Sequence, residues 1–177
     1  MSVSTGARAF HIAVLGALLS LALYFPYLWF GVTPFGSATE YSDSEIYAML
    51  NGVEYPDFYA QALPERTAEE LATQQESFTW CRFCHTLDQG GHNRVGPNLF
   101  RIFGKPFAVT NHFPYTDAFI AKREEGMVWT PDLMRAFIAA PSEMVPGNRM
   151  RYPPMIGYEM SVERDEMIIE YLLRETR

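Results

Sequence analysis

The chain's densest chemistry lies in the run Cys81-Arg-Phe-Cys84-His85, which has C-x-x-C-H spacing. Two residues between the thiols let a single helical turn present both. Two such thiols can add to the vinyl groups of a haem while the adjacent imidazole meets the iron from one face. The same residue types also occur in thioredoxin-like redox pairs and in zinc sites. A redox pair of that kind wants a βαβ context, and a zinc site wants two further soft ligands. The sequence supplies neither, because Cys81 and Cys84 are its only cysteines, which also excludes a disulfide framework. The run therefore reads as covalent attachment of one haem c, with His85 as an axial ligand to its iron.

An iron that shuttles electrons without binding small molecules needs a sixth ligand, which Met or His can provide. Met150 closes the stretch Pro141-Ser-Glu-Met-Val-Pro146-Gly147-Asn-Arg-Met150, where two prolines and a glycine stiffen the backbone into a loop. Spacing alone leaves the choice open. Methionine also fills irregular core gaps, and Met144, Met155 and Met160 lie close by. His92 and His112 are rivals, each in a polar, turn-like stretch that faces water.

Helices must position these groups. Thr67 and Glu70 have capping-box spacing and open a helix that runs to about Trp80, immediately before the cysteines. Residues 86–115 read mostly as loop. Thr130 followed by Pro131 starts a helix with the apolar stripe Leu133, Met134, Phe137 and Ile138, ending before Pro141. Ser161 caps a last helix in which Ile168, Ile169, Leu172 and Leu173 recur at helical spacing. No run alternates as a strand would.

Upstream, residues 9–30 carry no Lys, Arg, Asp or Glu, and 22 helical residues span roughly 33 Å, enough for a bilayer. Arg8 precedes the stretch and Glu40, Asp43 and Glu45 follow it, so the positive-inside rule leaves the N-terminus in the cytoplasm. Tyr24, Tyr27 and Trp29 crowd the exit end, where amphipathic rings favour the interface. The competing reading is a signal peptide cleaved after Ala38, against which stand the long apolar region and the bulky residues near its end. Ser42 to Glu45 predicts a short helix ended by Gly52, and Tyr55, Phe58 and Tyr59 make residues 42–63 too aromatic for a solvated linker.

A net charge of −7 argues against a nucleic-acid binder, since phosphate recognition rests on clustered Lys and Arg. The acids concentrate in residues 37–80, whereas Arg82, Arg94, Arg101, Lys105, Arg149 and Arg151 flank the haem motifs and predict a basic rim there.

Beyond Cys81-x-x-Cys84-His85, the stretches Gly96-Pro97-Asn98-Leu99, Tyr115-Thr116-Asp117-Ala118, Trp129 and Pro141 through Met150 follow in an order and spacing that resemble class I, mitochondrial-type cytochromes c. The resemblance covers Cys81 to Tyr171, about half the chain. It implies that Met150 is the second axial ligand, that the Pro97 carbonyl accepts a hydrogen bond from His85, and that Tyr115 and Trp129 serve the haem propionates. Three departures accompany it. Phe137 stands where the family usually has a tyrosine near the methionine sulfur. Lys105 replaces an arginine by the propionates. Ser77 and Thr73 replace the aromatic and glycine through which the first helix packs on the last, with Phe78 available to compensate.

The expected fold is an all-α class I cytochrome c domain with helices at about 67–80, 116–125, 130–139 and 161–174. The expected domains are a cytoplasmic N-terminus at 1–8, a transmembrane anchor at 9–30, a connecting segment at 31–66 and the haem domain at 67–177. An N-terminal anchor on such a domain is similar to the membrane-bound c-y cytochromes. That likeness implies an electron carrier rather than an enzyme, in the bacterial inner membrane with its haem on the periplasmic side. It would link a cytochrome bc complex to a photosynthetic reaction centre or terminal oxidase. The alternative is a fixed haem subunit of a multisubunit membrane oxidoreductase.

Overall fold

A computed structural model describes residues 5–30, 41–152 and 161–177, and among these the chain is helical, with one isolated antiparallel bridge between Pro106 and Val128. Two compact units emerge, Met1–Ser37 and Ala38–Arg177. The first holds α1, Thr5–Phe30, within which Gly6–Phe25 is long and apolar enough to cross a membrane. It starts four residues before the predicted span, because helix geometry does not stop where hydrophobicity does. Ala38 lies outside the described residues, as do Met155 and Met160.

In the second unit both predicted capping boxes form. Ser42 and Glu45 open α2, Asp43–Met49, and Thr67 and Glu70 open α3, Ala68–Ser77. In each, the hydroxyl and the carboxylate satisfy backbone N–H groups that the first helical turn leaves unpaired. α3 does not run unbroken to Trp80. The Thr79 N–H bonds to the Glu76 carbonyl at 3.0 Å, an i to i−3 contact that tightens and ends the helix. A separate turn, α4, then carries Cys81–Cys84. The long, mostly irregular segment 85–116, as the sequence predicts, leads to α5, Asp117–Glu124, and a short turn leads on to α6, Pro131–Ala139. A one-turn helix, α7, occupies Pro141–Met144, where the sequence reads as loop. It forms because Pro141 sits at its first position, and the Met144 and Val145 N–H groups reach back to the Ala140 and Pro141 carbonyls at 3.0 Å.

α8, Val162–Glu175, packs against both α3 and α6. Its Ile168, Ile169, Tyr171 and Leu172 are buried, each fully buried aliphatic side chain contributing on the order of 2 kcal/mol of apolar transfer. On the α3 side, Ser77 is buried and donates to the Gln74 carbonyl at 2.6 Å, while Thr73 stays exposed. Phe78, 1% exposed, fills the contact instead, its ring 5.1 Å from that of Tyr171.

Residues 41–66 belong to this unit as a strap laid on it. Tyr41 N–H donates to Asn111 Oδ1 at 2.7 Å and Asn111 Nδ2 donates back to the Tyr41 carbonyl at 3.1 Å. Tyr59 is buried, its hydroxyl accepting from Phe103 N–H at 3.1 Å and lying 3.4 Å from Thr176 Oγ1. Arg66 pairs with Glu170 on α8 at 2.8 Å. Of the aromatic side chains that made this stretch implausible as a solvated linker, Tyr59 is buried and Phe58 packs against the core, while Tyr41 and Arg66 add polar ties.

Candidate functional site

α4 presents both thiols on one turn, each free and partly buried. Burial pushes the Cys81 thiol up to about 12 and raises Cys84 as well, opposite to the lowered thiol of a redox-active pair. No cluster of three or more His, Cys, Asp or Glu side chains with metal-holding geometry occurs among the described residues. Among the described residues the thiols thus have no zinc-holding partners.

At His85 the helix stops, with φ −126° and ψ 150°, and the ring turns toward residues 93–98. Nδ1 lies 2.7 Å from the Pro97 carbonyl oxygen. A carbonyl can only accept, so Nδ1 carries the proton and Nε2 keeps its lone pair. Burial also lowers the imidazole's pKa, outweighing the Pro97 carbonyl, and keeps the ring neutral at neutral pH. A neutral imidazole with a free Nε2 and a fixed orientation is the donor that haem iron requires. The residues present therefore fit a haem attached at Cys81 and Cys84.

Gly96 closes the other side of the ring, and sequence reasoning gave it no role. Its N–H bonds to the Cys84 carbonyl at 2.8 Å, and a Cβ there would stand 2.3 Å from His85 Cε1. Gly96→Ala is expected to push the ring off Pro97 and destabilise the domain by about 2 kcal/mol, the order of an overpacked core. Thermal unfolding together with the axial-ligand absorption bands would check this. Asn98 braces the same loop, its side chain donating to Thr86 Oγ1 at 2.7 Å and to the Asp88 carbonyl at 3.1 Å.

Met150 ends a second braced loop. Asn148 Nδ2 donates to the Pro141 and Val145 carbonyls at 2.6 and 2.8 Å, and Asn148 Oδ1 accepts the Met150 N–H at 2.8 Å. Gly147 takes φ +90°, a conformation that favours glycine. Met150 and Met144 both pack, partly buried, against the core, whereas His92 and His112 are exposed. The stiffness read from two prolines and a glycine rests equally on Asn148, two residues before the methionine.

The remaining candidates gather around one aromatic cluster. Trp129 is buried and stacks on Phe107 at 3.8 Å between centroids, with Phe137 edge-on at 5.4 Å. Tyr115 packs against Phe113 and Phe119, and burial pushes its phenol up to about 12 despite hydrogen bonding to Thr110. Lys105 donates from Nζ to the Phe100 carbonyl at 3.0 Å, and burial lowers its pKa while Asp43 of the strap supports its charge. Arg101 pairs with Asp57 of the strap at 3.4 Å. Two of the six bases predicted to form one rim are thus met by strap acids.

Paired thiols on one turn, a neutral oriented imidazole and a small helical shell define a c-type haem domain. No family model matches the chain. It is 33% identical to cytochrome c2 of Agrobacterium tumefaciens (strain II Chrys) over 99 residues, covering 56% of this chain and 86% of that protein. It is 34% identical to cytochrome c of Stellaria longipes, covering 51% and 78%. Over 75 residues it is 40% identical to cytochrome c2 of Rhodopila globiformis, covering 42% and 67%. The chain belongs to the cytochrome c and c2 family, with one covalently bound haem c and an electron-transfer function.

Proposed function

We propose that this chain is a membrane-anchored electron carrier whose iron is held by His85 and Met150. Pro97 fixes the His85 ring, Lys105, Tyr115 and Trp129 stand toward the propionates, and Phe137 leaves the methionine side without a hydroxyl. The observation that carries the reading is the His85 Nδ1 contact to Pro97 at 2.7 Å beside two thiols on one turn. With both axial positions filled, the iron passes single electrons and does not bind peroxide or oxygen. The haem domain proper is 67–177, and residues 1–8, 9–30 and 31–66 are cytoplasmic tail, anchor and connection. The apolar helix α1 supports an inner-membrane anchor with the haem on the periplasmic side. A cytochrome bc complex is the proposed donor, and a reaction centre or terminal oxidase the acceptor, as in c-y cytochromes.

A second reading, a fixed haem subunit of a membrane oxidoreductase, draws support from the strap. A mobile carrier wants a long free tether, and residues 41–66 are instead bound along the domain through Tyr41, Tyr59 and Arg66. Alkaline carbonate extraction of membranes, followed by intact mass of the haem-stained protein, tests the anchor. The expected result is a membrane-retained chain that keeps residues 9–30. A soluble product beginning after Ala38 would reject it. Stable co-purification with one complex in mild detergent would select the second reading over the first.

A further inference from the structure

We infer that Asp165, buried at the start of α8, is a proton-uptake group coupled to the haem: its carboxylate binds a proton from water when the iron is reduced and releases it when the iron is oxidised. The inference deepens the reading above and rests on haem attachment at Cys81.

α8 turns one stripe inward, and Asp165 heads it. Residues three and four apart share a helix face, so Asp165 lies on the side of the buried Ile168 and Ile169, with Leu172 a further turn along. Asp165 is 4% exposed, and its Oδ1 is buried without a hydrogen-bond partner. Among the described residues no other acid is buried. Starting the helix does not require it there. Ser161 already accepts the Arg164 N–H at 3.1 Å, and the exposed Glu163 supplies the negative charge that a first turn favours. A carboxylate placed on an apolar stripe without full hydrogen bonding is costly in its charged form and takes up a proton more readily.

Its surroundings link it to the haem turn. Burial, then Cys84, then Asp165 raise the Cys81 thiol, so the charge of Asp165 is felt at the sulfur that carries the haem. Burial also raises the carboxyl of Asp165 above its ordinary value, against the opposing pull of Arg164 on α8 and Arg135 on α6. Arg135 pairs with the exposed Asp132 at 2.8 Å, and its Nε is buried without a partner. The other charges on the packed elements are spent elsewhere. Glu163 and Glu166 on α8, Glu69, Glu70 and Glu76 on α3 and Arg82 on α4 are exposed, and Glu170 pairs with Arg66 and Arg174. α3 buries only the neutral Gln74 and Ser77.

Reduction removes one unit of positive charge from this neighbourhood, after which the carboxylate holds a proton more tightly. The electron comes from the chain's redox partner and the proton from water, and one O–H bond forms at Asp165. Oxidation reverses each change. The proton affinity of Asp165 should rise on the order of tenfold, the effect of one unit charge acting through protein. The midpoint potential then falls as pH rises between the oxidised-state and reduced-state pKa values of Asp165 and is flat outside them. For a one-electron couple, that tenfold separates the two flat limbs by about 59 mV.

The test uses the full haem-loaded chain in mild detergent, with redox titrations across a pH series and infrared difference spectra of reduced minus oxidised protein. The wild type is expected to show the sloped window and, on reduction, the carbonyl stretch of a newly protonated carboxyl. Asp165→Asn, which mimics the protonated form, should lose both and keep the acid-limb potential across that window. Asp165→Glu should restore the slope. Arg135→Gln removes an opposing cation and should move the window to higher pH. A slope and infrared band unchanged in Asp165→Asn would overturn the inference, as would a wild type that shows neither. Should Asp165→Asn fail to load haem, Arg135→Gln decides, and a window that stays at the wild-type pH overturns it. A wild-type chain that gives up its haem on denaturing extraction would instead sink the reading of covalent attachment.

Discussion

Replacing both Cys81 and Cys84 with alanine is expected to remove covalent haem entirely and to leave a domain that no longer unfolds cooperatively at the wild-type temperature. The cause is the lost ligand rather than the lost sulfur. Both thiols are free and only partly buried, so in the apo chain the two truncations should together cost about 1 kcal/mol, ordinary for such positions. Haem is different, because a group that binds only the native state stabilises it by mass action, and covalent attachment makes that binding permanent. The aromatic cluster of Phe107, Phe119, Trp129 and Phe137 and the half-buried Met150 and Leu99 give a small domain limited apolar surface of its own. Haem staining after denaturing electrophoresis reads attachment, and far-UV circular dichroism melts of the apo and holo forms read stability. The expected pattern is a variant melt close to that of the apo wild type and far below that of the haem-loaded wild type. Retention of the haem stain in the double variant would reject attachment at this turn.

What the sequence made legible was local. Capping boxes at Ser42 and Thr67, the Thr130-Pro131 start and the Ser161 cap each act within four residues, and each opens a helix at the position its pattern predicts. The C-x-x-C-H run was legible for the same reason, since one turn of helix is all its geometry needs. The strap was half legible. Its aromatic content said that it must pack, but its partners lie far along the chain, Asn111 being 70 residues from Tyr41 and Thr176 117 residues from Tyr59. Nothing in local spacing encodes such pairings. They also bear on charge, since Asp57 and Asp43 reach Arg101 and Lys105 only through the strap's path, so a rim counted from sequence overstates the free bases. Gly96 went unassigned because its importance is a missing atom: what matters is the 2.3 Å that a Cβ would leave to the His85 ring. Asn148 went unassigned because prolines and glycine are visible stiffeners, whereas an amide bonding two carbonyls and one N–H is visible only once the loop is folded.

Met150→His is expected to keep the iron six-coordinate while lowering the midpoint potential substantially, by roughly a few hundred millivolts within the 0.8 V range that axial ligands command. Imidazole is a stronger donor to ferric iron than a thioether, so the exchange stabilises the oxidised state relative to the reduced one. The loop should accept the change. Met150 is only partly buried, and its backbone is held by Asn148 rather than by its own side chain. Phe137, buried edge-on to Trp129, offers no hydroxyl that could bond the new ring, so the shift should reflect the ligand itself. Redox titration measures the potential, and the absorption band linking methionine sulfur to ferric iron reports the ligand. That band should vanish in Met150→His and in Met150→Leu, the latter opening the iron to added cyanide or imidazole. Met155→Leu, outside the described residues, should leave both band and potential unchanged. Should Met155→Leu abolish the band while Met150→Leu preserves it, the sixth ligand would be Met155, and the bracing of the loop by Asn148 would have to serve packing alone.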